Sequence, residues 1–572
     1  MLYNTTHTLI FEGIYLNMTS LNALETVLAY HEHTKHHFER YAKGPTHINW
    51  SAQPDSFRRY LGAKGFELPL VADTVENAYI DLYQPQMMTS KPINLQNIAA
   101  LLELSLGISA WKQYGNNRWA LRCNPSSGNL HPTEGYVVLP KIENLPAGIY
   151  HYLSHDHILE QRGLFDSEGT NSVETFLSTH RFLLGLTSIP WREAWKYGER
   201  AFRYCQHDIG HAIAAIRYAA ATLGWTVQLL DNWADEDIIQ TLGLDQDEDF
   251  YPDEREVPEV MLCIHPEKTE RLPDHSIVSA LKKVTWVGGK ANQLDSHHED
   301  EWPIIDKVLE ATLKPTTEEV DWIAPTLPPL PPISCTSRAA DLIRQRRSAQ
   351  RFDGKTPLNA EAFYRLLDST LPRNGVMPWD VFPHQPRLHL ILFVHRISGL
   401  SPGLYILLRH QASEENLRAA LQRKEFDWKK PDNCPEHINF YQLLSGDAQV
   451  TAQQLSCHQE IAADSALSLG MLAEFEDSLQ KGPWYYRRLF WEAGIIGQIL
   501  YLEAEAVEVR GTGIGCYFDD AVHHLLGLND TRYQSLYHFT IGTPLDDKRL
   551  QTLPPYAHLE NNFKKDTIDV RV

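Results

Sequence analysis

The segment 124–134 reads Asn-Pro-Ser-Ser-Gly-Asn-Leu-His-Pro-Thr-Glu and is dense in hydrogen-bonding side chains. It lies between a helical pattern over 98–106 and an apolar strand pattern over 136–139. Its two prolines and its glycine predict a loop, because proline fixes φ and glycine permits positive φ. Such a loop directs hydroxyl, amide and carboxyl groups outward and suits a flat cofactor with polar edges. The alternative interpretation is a surface turn with Asx and Ser caps.

A second cluster is basic and begins with Arg346, Arg347 and Ser348, followed by Arg351 and Phe352. Guanidinium groups bind phosphate in a bidentate manner, and a serine hydroxyl adds a further hydrogen bond. The cluster therefore suits the phosphate group of a cofactor. The alternative is a solvated helix face, which is the commoner fate of a basic pair.

Three alternating glycines, Gly511, Gly513 and Gly515, follow later in the chain. Because glycine has no Cβ, a backbone of this kind can come close to a ligand. The pattern is a poor dinucleotide fingerprint, since no βαβ unit with a suitably spaced acidic residue follows it. We predict a glycine-rich turn beside a ligand.

Lys196 and Tyr197 are neighbours whose side chains could take a proton from a substrate. Free lysine and tyrosine have pKa values near ~10.4 and ~10, so both are poor bases at neutral pH. Burial or a cationic neighbour must shift these pKa values, and Arg200 and Arg203 are candidates. The alternative is a snorkelling lysine beside a packed tyrosine.

No motif favours a metal site. His207 and His211 share one helix face at a spacing that can bind zinc, but no glutamate lies between them as a general base. Helix packing or a surface position is the better interpretation of this pair. The seven cysteines are scattered and contain no Cys-x-x-Cys pair, which indicates reduced thiols.

The composition is that of a globular protein with several domains: 572 residues, 43% hydrophobic and 22% charged. The net charge of −21 disfavours nucleic acid and anionic membranes, which bind clustered lysine and arginine. No apolar run approaches the roughly 18 residues that span a bilayer, and the N-terminal segment lacks signal-peptide features. We therefore predict a cytoplasmic protein that binds neither nucleic acid nor membranes.

An internal repeat indicates that one fold occurs twice. Three pairs of segments recur in the same order: 91–102 with 356–367, 147–150 with 402–405, and 205–220 with 489–504. Their offsets of 265, 255 and 284 residues differ, as insertions and deletions between two copies would produce. Asn94 and Asn359 are candidate helix caps, and the third pair has the small, apolar residues of buried helices.

The repeat divides the chain into a first domain over 1–285 and a second over 335–572, separated by a polar, proline-rich linker over 286–334. Within each copy, helical patterns mix with apolar strand patterns such as 136–139 and 388–394. This mixture predicts an α+β fold, with helices on a mainly antiparallel sheet.

The Pro-Ser-Ser-Gly-Asn loop, with its Gly-Asn-x-x-Pro-x-Glu continuation over 128–134, resembles the flavin-contacting loop of the nitroreductase-like flavoproteins. It is most similar to the SagB-type dehydrogenase branch, which includes azoline oxidases. The Arg-Arg-Ser-x-x-Arg-Phe pattern at 346–352 resembles the motif of that superfamily that holds FMN phosphate. The resemblance implies an obligate homodimer fold with two flavin sites at the interface. A fused pair would form a pseudo-dimer within one chain.

The resemblance also implies which residues form the site. Each copy has kept different pieces, so one composite FMN site per chain is expected and its mirror image is expected to have decayed. The cofactor-binding candidates are Ser126, Ser127, Gly128 and Asn129 from the first copy and Arg346, Arg347, Ser348, Gly511, Gly513 and Gly515 from the second. Lys196 and Tyr197 resemble the catalytic pair of azoline oxidases.

These features predict an FMN-dependent oxidoreductase that oxidises azoline heterocycles in peptides or related small molecules. One alternative is an NAD(P)H-dependent reductase of nitro or quinone compounds. Another is a flavin-free structural partner in a peptide-modifying complex. Beyond the pseudo-dimer, further oligomerisation is compatible with the sequence, which names neither the substrate nor the electron acceptor.

Overall fold

The computed structural model shows helices packed on antiparallel sheets. It describes residues 22–84, 87–166, 170, 173, 175–177, 181–266, 276–295, 300–318 and 322–559. Parts of the predicted linker, 296–299 and 319–321, lie outside these residues. Below, "first half" means the described residues up to 318 and "second half" those from 322. None of the helices in the described residues has both the length and the apolar composition needed to cross a membrane.

Helices occur along both halves. The main helices of the first half are α1 (22–33), α2 (Leu95–Ser105), α3 (Pro190–Tyr197), α4 (Ala201–Thr222), α5 (Asp235–Leu242), α6 (Ser276–Leu281) and α7 (Pro303–Ala311). Those of the second half are α8 (Ala339–Gln345), α9 (Ala360–Ser369), α10 (Glu414–Ala420), α11 (Gln449–Leu455), α12 (Glu460–Asp464), α13 (Phe475–Leu479), α14 (Tyr485–Ala506) and α15 (Asp519–Leu526). The predicted caps are confirmed, because Asn94 accepts from the amide of Asn97 and Asn359 from that of Glu361.

The strands follow the same division. Those of the first half are β1 (Tyr60–Leu61), β2 (Gly65–Glu67), β3 (Ile108–Tyr114), β4 (Asn117–Arg122), β5 (Thr133–Leu139), β6 (Gly148–Leu153), β7 (Ile158–Phe165), β8 (Phe182–Ser188), β9 (Thr226–Leu229), β10 (Val257–His265), β11 (Val284–Trp286) and β12 (Lys290–Ala291). Those of the second half are β13 (Leu388–Val394), β14 (Gly403–Leu408), β15 (Asn439–Ser445), β16 (Leu467–Glu474), β17 (Arg510–Ile514), β18 (Tyr533–Gly542) and β19 (Gln551–Leu553).

Each half contains one large sheet. The first has the order β11-β7-β6-β5-β8-β10-β9, with β2 added beside β7, and the second has the order β15-β14-β13-β16-β18-β17. Six neighbouring strands therefore follow the same path in both, and every pairing along that path is antiparallel. The predicted combination of helices with a mainly antiparallel sheet is confirmed.

Helices α4 and α14 pack against each other between the two sheets and place Ile213 and Ile495 in one shared apolar core. They meet at Gly210 and Gly494, which are 284 residues apart. A Cβ on Gly210 would lie 2.2 Å from the carbonyl oxygen of Trp491, and a Cβ on Gly494 would lie 2.3 Å from that of His207. All of α4 and nearly all of α14 are buried, as the sequence predicts.

We expect Gly210→Ala to destabilise the protein by about 1–3 kcal/mol, because the added methyl meets backbone rather than a movable side chain. Urea unfolding followed by circular dichroism measures the loss. Gly44→Ala is the matched control, since the nearest atom to its Cβ, the Tyr197 carbonyl oxygen, lies 4.0 Å away. Equal free energies of unfolding for the two variants would show that the helix pair accommodates the added methyl group without cost.

Segments of each half also pack on the other half. Strand β19 pairs with β3, and the Tyr556 hydroxyl accepts a hydrogen bond of 3.1 Å from the amide of Ile108. In the opposite direction, His31 on α1 lies 3.1 Å from the Tyr486 hydroxyl of α14. The two halves are therefore joined by exchanged segments as well as by the central helices.

The stretch predicted to be a linker, 286–334, is more ordered than the sequence indicates. It contains β12, which pairs with β1, and helix α7. The proline-rich part lies against the second half, where Arg373 donates a hydrogen bond of 3.1 Å to the Pro328 carbonyl and Arg365 donates one of 2.5 Å to that of Pro331. Pattern analysis missed these contacts because proline runs carry no apolar periodicity.

Candidate functional site

A cleft of about 810 Å³ opens between the two halves. This volume lies in the range of small-molecule and cofactor sites, roughly 300–1,000 Å³. The predicted site residues that line it are Ser126, Ser127, Gly128, Asn129 and Tyr197 from the first half and Arg346, Arg347, Ser348, Gly513 and Gly515 from the second. Two predicted residues, Lys196 and Gly511, are not among the lining residues.

The loop that contains Ser126 to Asn129 enters the cleft between β4 and β5. Gly128 and Asn129 both have φ near 60°, a backbone conformation that glycine and asparagine adopt most readily. The loop is anchored to α4, because the Ser127 amide and hydroxyl each donate a hydrogen bond of 3.1 Å to Asp208. The Ser126 hydroxyl accepts a further bond of 2.8 Å from the amide of His131.

Tyr197, at the end of α3, packs against this loop. A Cβ on Gly128 would lie 2.5 Å from the Tyr197 hydroxyl oxygen, so the tyrosine and the loop leave no room for a side chain there. Burial raises the pKa of Tyr197 well above its usual value, and the acidic groups of Glu193 and Asp208 raise it further. The hydroxyl is therefore neutral at physiological pH and acts as a hydrogen-bond donor or acceptor.

Lys196 lies beside Tyr197 but is not among the residues that line the cleft. Its Nζ is 5.9 Å from the ring centroid of Trp50 and 5.4 Å from that of Tyr197. Partial burial lowers the pKa of Lys196, as expected, although Glu193 opposes the shift. The expected cationic neighbours are not the cause, because both guanidiniums, those of Arg200 and Arg203, bind Asp519 instead.

The basic end of the cleft is formed by residues that follow α8. Arg346 is buried, donates a hydrogen bond of 2.9 Å to the Arg122 carbonyl, and leaves its Nε without a partner among the described residues. Arg347 donates to the carbonyls of Arg344 and Arg346, each at 2.7 Å. Burial and the adjacent charge of Arg346 lower the pKa of Arg347 to about 10.

Neither guanidinium of this pair lies within 4.0 Å of a carboxylate oxygen in the described residues. Two adjacent cations, of which Arg346 is buried and Arg347 half-buried, are costly, since each repels the other in a medium of reduced dielectric. The chain has a net charge of −21, so two adjacent positive charges in one cleft indicate a site for an anionic group. The donor set fits a phosphate group, which would accept from both arginines and from Ser348.

The glycine-rich segment is a strand, β17, rather than the predicted turn. Its glycines make room for aromatic rings: a Cβ on Gly513 would lie 1.9 Å from the Tyr537 hydroxyl, and one on Gly515 would lie 2.2 Å from Cε1 of Tyr204. A Cβ on Gly511 would meet Phe539 at 2.6 Å, outside the cleft. The strand thus supports the cleft wall through packing.

Tyr501 of α14 joins the basic segment to this strand. Its hydroxyl lies 2.8 Å from the Ser348 hydroxyl and accepts a hydrogen bond of 3.0 Å from the amide of Gly513. The ring also lies under Arg346, 5.1 Å from the guanidinium carbon. Tyr501 was not predicted, because nothing in its local sequence distinguishes it from a packing residue.

Two buried acids near the loop were also missed. Burial raises the pKa of Asp208 to about 7, although hydrogen bonds from Ser126 and Ser127 partly offset the shift. Glu193 on α3 is fully buried, and burial and the nearby Asp208 carboxyl raise its pKa well above the usual range. Asp208 lines the cleft and lies between the two histidines that the sequence marks.

Those histidines, His207 and His211, are both buried, and His211 also lines the cleft. His207 Nε2 lies 3.1 Å from the carbonyl oxygen of Leu536, and His211 Nε2 lies 3.2 Å from the hydroxyl of Tyr537. The His/Cys/Asp/Glu groups of the described residues that could hold a metal ion include neither of them.

The opposite side of the helix pair has an ion pair at the position that the helix offset relates to Tyr501. Arg217 precedes Tyr501 by 284 residues, the offset that relates α4 to α14. It donates two hydrogen bonds of 2.8 Å to the carboxylate of Asp380 in the second half. Arg217 therefore forms an ion pair between the halves, whereas Tyr501 lines the cleft.

Comparisons with known proteins agree with this architecture. No protein-family model matches the sequence. A crystal structure of a candidate nitroreductase from Anabaena variabilis ATCC 29413 is similar with a TM-score of 0.63 at 20% identity, covering 91% of this chain and 99% of that chain. A candidate nitroreductase of Methanocaldococcus jannaschii is 22% identical over 161 residues, which are 27% of this chain and 77% of that protein. The chain therefore has a nitroreductase-like fold.

Proposed function

We propose that the chain is an FMN-dependent oxidoreductase made of two fused nitroreductase-like domains, 1–285 and 335–572. The observation that carries this proposal is the cleft between the halves. It combines the Ser-Ser-Gly-Asn loop of the first half with the unneutralised Arg346 and Arg347 of the second. A flavin-free structural partner would have no use for two adjacent guanidiniums that no described carboxylate neutralises, so this alternative is disfavoured.

The arrangement of the two halves supports an intrachain pseudo-dimer. Six strands share one order in the two sheets, and the central helices meet at glycines separated by the repeat offset. The Arg217–Asp380 ion pair opposite the cleft supports a single FMN site per chain. We therefore expect one equivalent of FMN, bound between the halves.

Arg346, Arg347 and Ser348 would hold the phosphate, and Ser126, Ser127 and Asn129 would meet the polar edge of the ring system. Bound FMN would supply the hydride acceptor or donor. Tyr197 packs against the Gly128 backbone and closes the wall of the cleft beside the loop. Burial of Arg346 lowers the dielectric around its guanidinium and would strengthen its charge-assisted hydrogen bonds to the phosphate.

For a substrate, we propose an azoline heterocycle in a peptide or a related small molecule, on the basis of the sequence resemblance. Oxidation of such a ring removes a hydride and a proton from adjacent atoms. The Ser127 hydroxyl would take that proton while it passes its own to Asp208, 3.1 Å away. Tyr197 would donate a hydrogen bond to the substrate, with Lys196 as its cationic neighbour.

The second candidate, an NAD(P)H-dependent nitro or quinone reductase, is favoured by one specific observation. Lys196 does not line the cleft, and the pKa of Tyr197 is raised, so neither is an evident base. A nicotinamide donor needs no base at its reacting carbon. In that case protonated Asp208 would deliver a proton to the reduced product through the same serine.

We expect Arg347→Ala to weaken FMN binding roughly tenfold to 150-fold, because it removes a charge-assisted phosphate contact worth roughly 1.5–3 kcal/mol. Titration of the flavin-free protein with FMN, followed by flavin fluorescence, measures the affinity. Arg351→Ala is the matched control, since Arg351 is exposed and does not line the cleft. Colourless protein that binds no FMN, or two equivalents bound per chain, contradicts the proposed site.

A further inference from the structure

Two cysteines that are distant in sequence lie together at the edge of the cleft. The Sγ atoms of Cys457 and Cys516 are 2.6 Å apart, and both residues are partly exposed. Cys457 belongs to the connection between α11 and α12, whereas Cys516 follows β17 and lines the cleft. The remaining described cysteines have no comparable thiol neighbour.

The backbone around the pair already holds the two segments side by side. Gln459 donates a side-chain hydrogen bond of 3.1 Å to the Cys516 carbonyl, and the Phe518 amide donates one of 2.9 Å to the Leu455 carbonyl. These hydrogen bonds hold the two segments next to each other, so the sulfurs can approach each other as disulfide formation requires.

The surroundings favour a thiolate on Cys516. A hydrogen bond from Cys457 lowers the pKa of Cys516 most, and His36 and the charge of Arg200 lower it further against the effect of burial. The pKa of Cys457 is raised by its hydrogen bond to Cys516 and by burial, so Cys457 remains the protonated partner. Cationic and hydrogen-bonding neighbours of this kind are typical of reactive cysteines, whereas buried structural cysteines are inert.

We propose that Cys516 and Cys457 form a dithiol site that reduces small disulfide substrates. The Cys516 thiolate attacks one sulfur of the substrate, the substrate's sulfur–sulfur bond breaks, and one substrate thiolate leaves. Cys457 loses its proton and attacks Cys516 in the resulting mixed disulfide, which releases the second thiolate. The products are an intrachain disulfide and two substrate thiols, so atoms and electrons balance. The exposed rings of Phe38 and Tyr41, 57% and 50% accessible, lie beside this site.

The test uses the full-length protein and glutathione disulfide as the probe. We expect loss of two thiols per chain and one disulfide, mapped to 457–516 by mass spectrometry. Cys457→Ser should accumulate the mixed disulfide on Cys516. Cys516→Ser should abolish the rapid reaction with glutathione disulfide. Cys434→Ser is the matched control, because burial raises the pKa of the partly exposed Cys434 to about 11.

A measurement on the wild type does not depend on whether the variants fold. With limiting iodoacetamide at pH 7, Cys516 should be alkylated about tenfold faster than Cys434, or more. Equal alkylation rates, a disulfide mapped elsewhere, or wild-type exchange in both cysteine variants would overturn the proposal. None of these readouts requires bound flavin, so the result is independent of the FMN proposal.

Discussion

Asp208→Asn should keep bound FMN but slow turnover by about 10²–10⁴-fold, the usual loss when a proton acceptor or donor is removed. Asparagine can still accept a hydrogen bond from the Ser127 amide, so the loop stays anchored, but it cannot take up or release a proton. The measurement is stopped-flow reduction of the flavin by substrate across pH 5–9. Asp208 acts through Ser127, and the pH profile separates this role from a merely structural one.

The direction of the pH profile also distinguishes the two candidate reactions. The pKa of Asp208 is raised to about 7, so its carboxylate form predominates above that pH and its protonated form below it. Substrate oxidation needs the carboxylate and should accelerate as pH rises through about 7. Reduction of a nitro or quinone compound needs the protonated acid and should slow over the same interval. For either reaction, the rate of the Asp208→Asn variant should no longer change with pH around 7.

Lys196→Ala and Tyr197→Phe are the companion variants. If the pair acts on the substrate as the resemblance implies, both should retain FMN and lose turnover. If Asp208 is the proton-transfer group, Lys196→Ala should affect the rate much less than Asp208→Asn does. An Asp208→Asn enzyme with normal rate and an unchanged pH profile would falsify the relay through Ser127.

Asp519→Asn should lower the free energy of unfolding by about 3–5 kcal/mol, because it breaks a buried ion cluster and leaves positive charge uncompensated. Asp519 is fully buried and lies 2.9 Å from Arg203 Nη1 and 3.3 Å from Arg200 Nη1. Arg203 lies in α4 of the first half and Arg200 directly precedes that helix, whereas Asp519 starts α15 of the second half. The substitution therefore weakens the contact between the halves.

The pH dependence of this effect has a defined sign. Although burial opposes ionisation, Arg200 and Arg203 hold the pKa of Asp519 well below its usual value. The contribution of the Asp519 carboxylate to the free energy of unfolding is fully present above its pKa in the unfolded chain, about 3.9. It is lost as pH falls through its pKa in the folded protein. The gap in stability between wild type and variant, from urea unfolding at several pH values, should therefore narrow in acid.

Asp530→Asn is the matched control for the buried cluster. Asp530 pairs with Arg532 at 2.7 Å, but both side chains are more than 40% exposed. Surface pairs of this kind contribute under about 1 kcal/mol. If the two variants lose equal stability, the buried cluster does not hold the halves together.

Sequence patterns predicted the elements that depend on local chemistry. The Asn94 and Asn359 caps, the buried helices α4 and α14 and the strand at 388–394 follow from spacing and composition alone. The loop residues Ser126 to Asn129 and the basic Arg346 and Arg347 were placed on separate copies, and the structure brings both groups to one cleft.

The features of the site that sequence patterns did not predict depend on long-range contacts. Asp208 has an unremarkable sequence context, and its raised pKa arises only when the fold buries it beneath the loop. The glycines of β17 were interpreted as a ligand turn, whereas their small size accommodates rings from distant elements. Lys196 was predicted to be catalytic from the family resemblance. The position of its side chain relative to the cleft depends on packing beside Trp50.

The Arg217–Asp380 pair has a consequence for how such a chain can evolve. In a homodimer every substitution appears twice, so a residue that fills one interface site must fill the other as well. A fused chain escapes this constraint, because each half mutates alone. One side of the molecule can then become permanent internal support while the other retains an open cleft, and the lost symmetry becomes a source of specialisation.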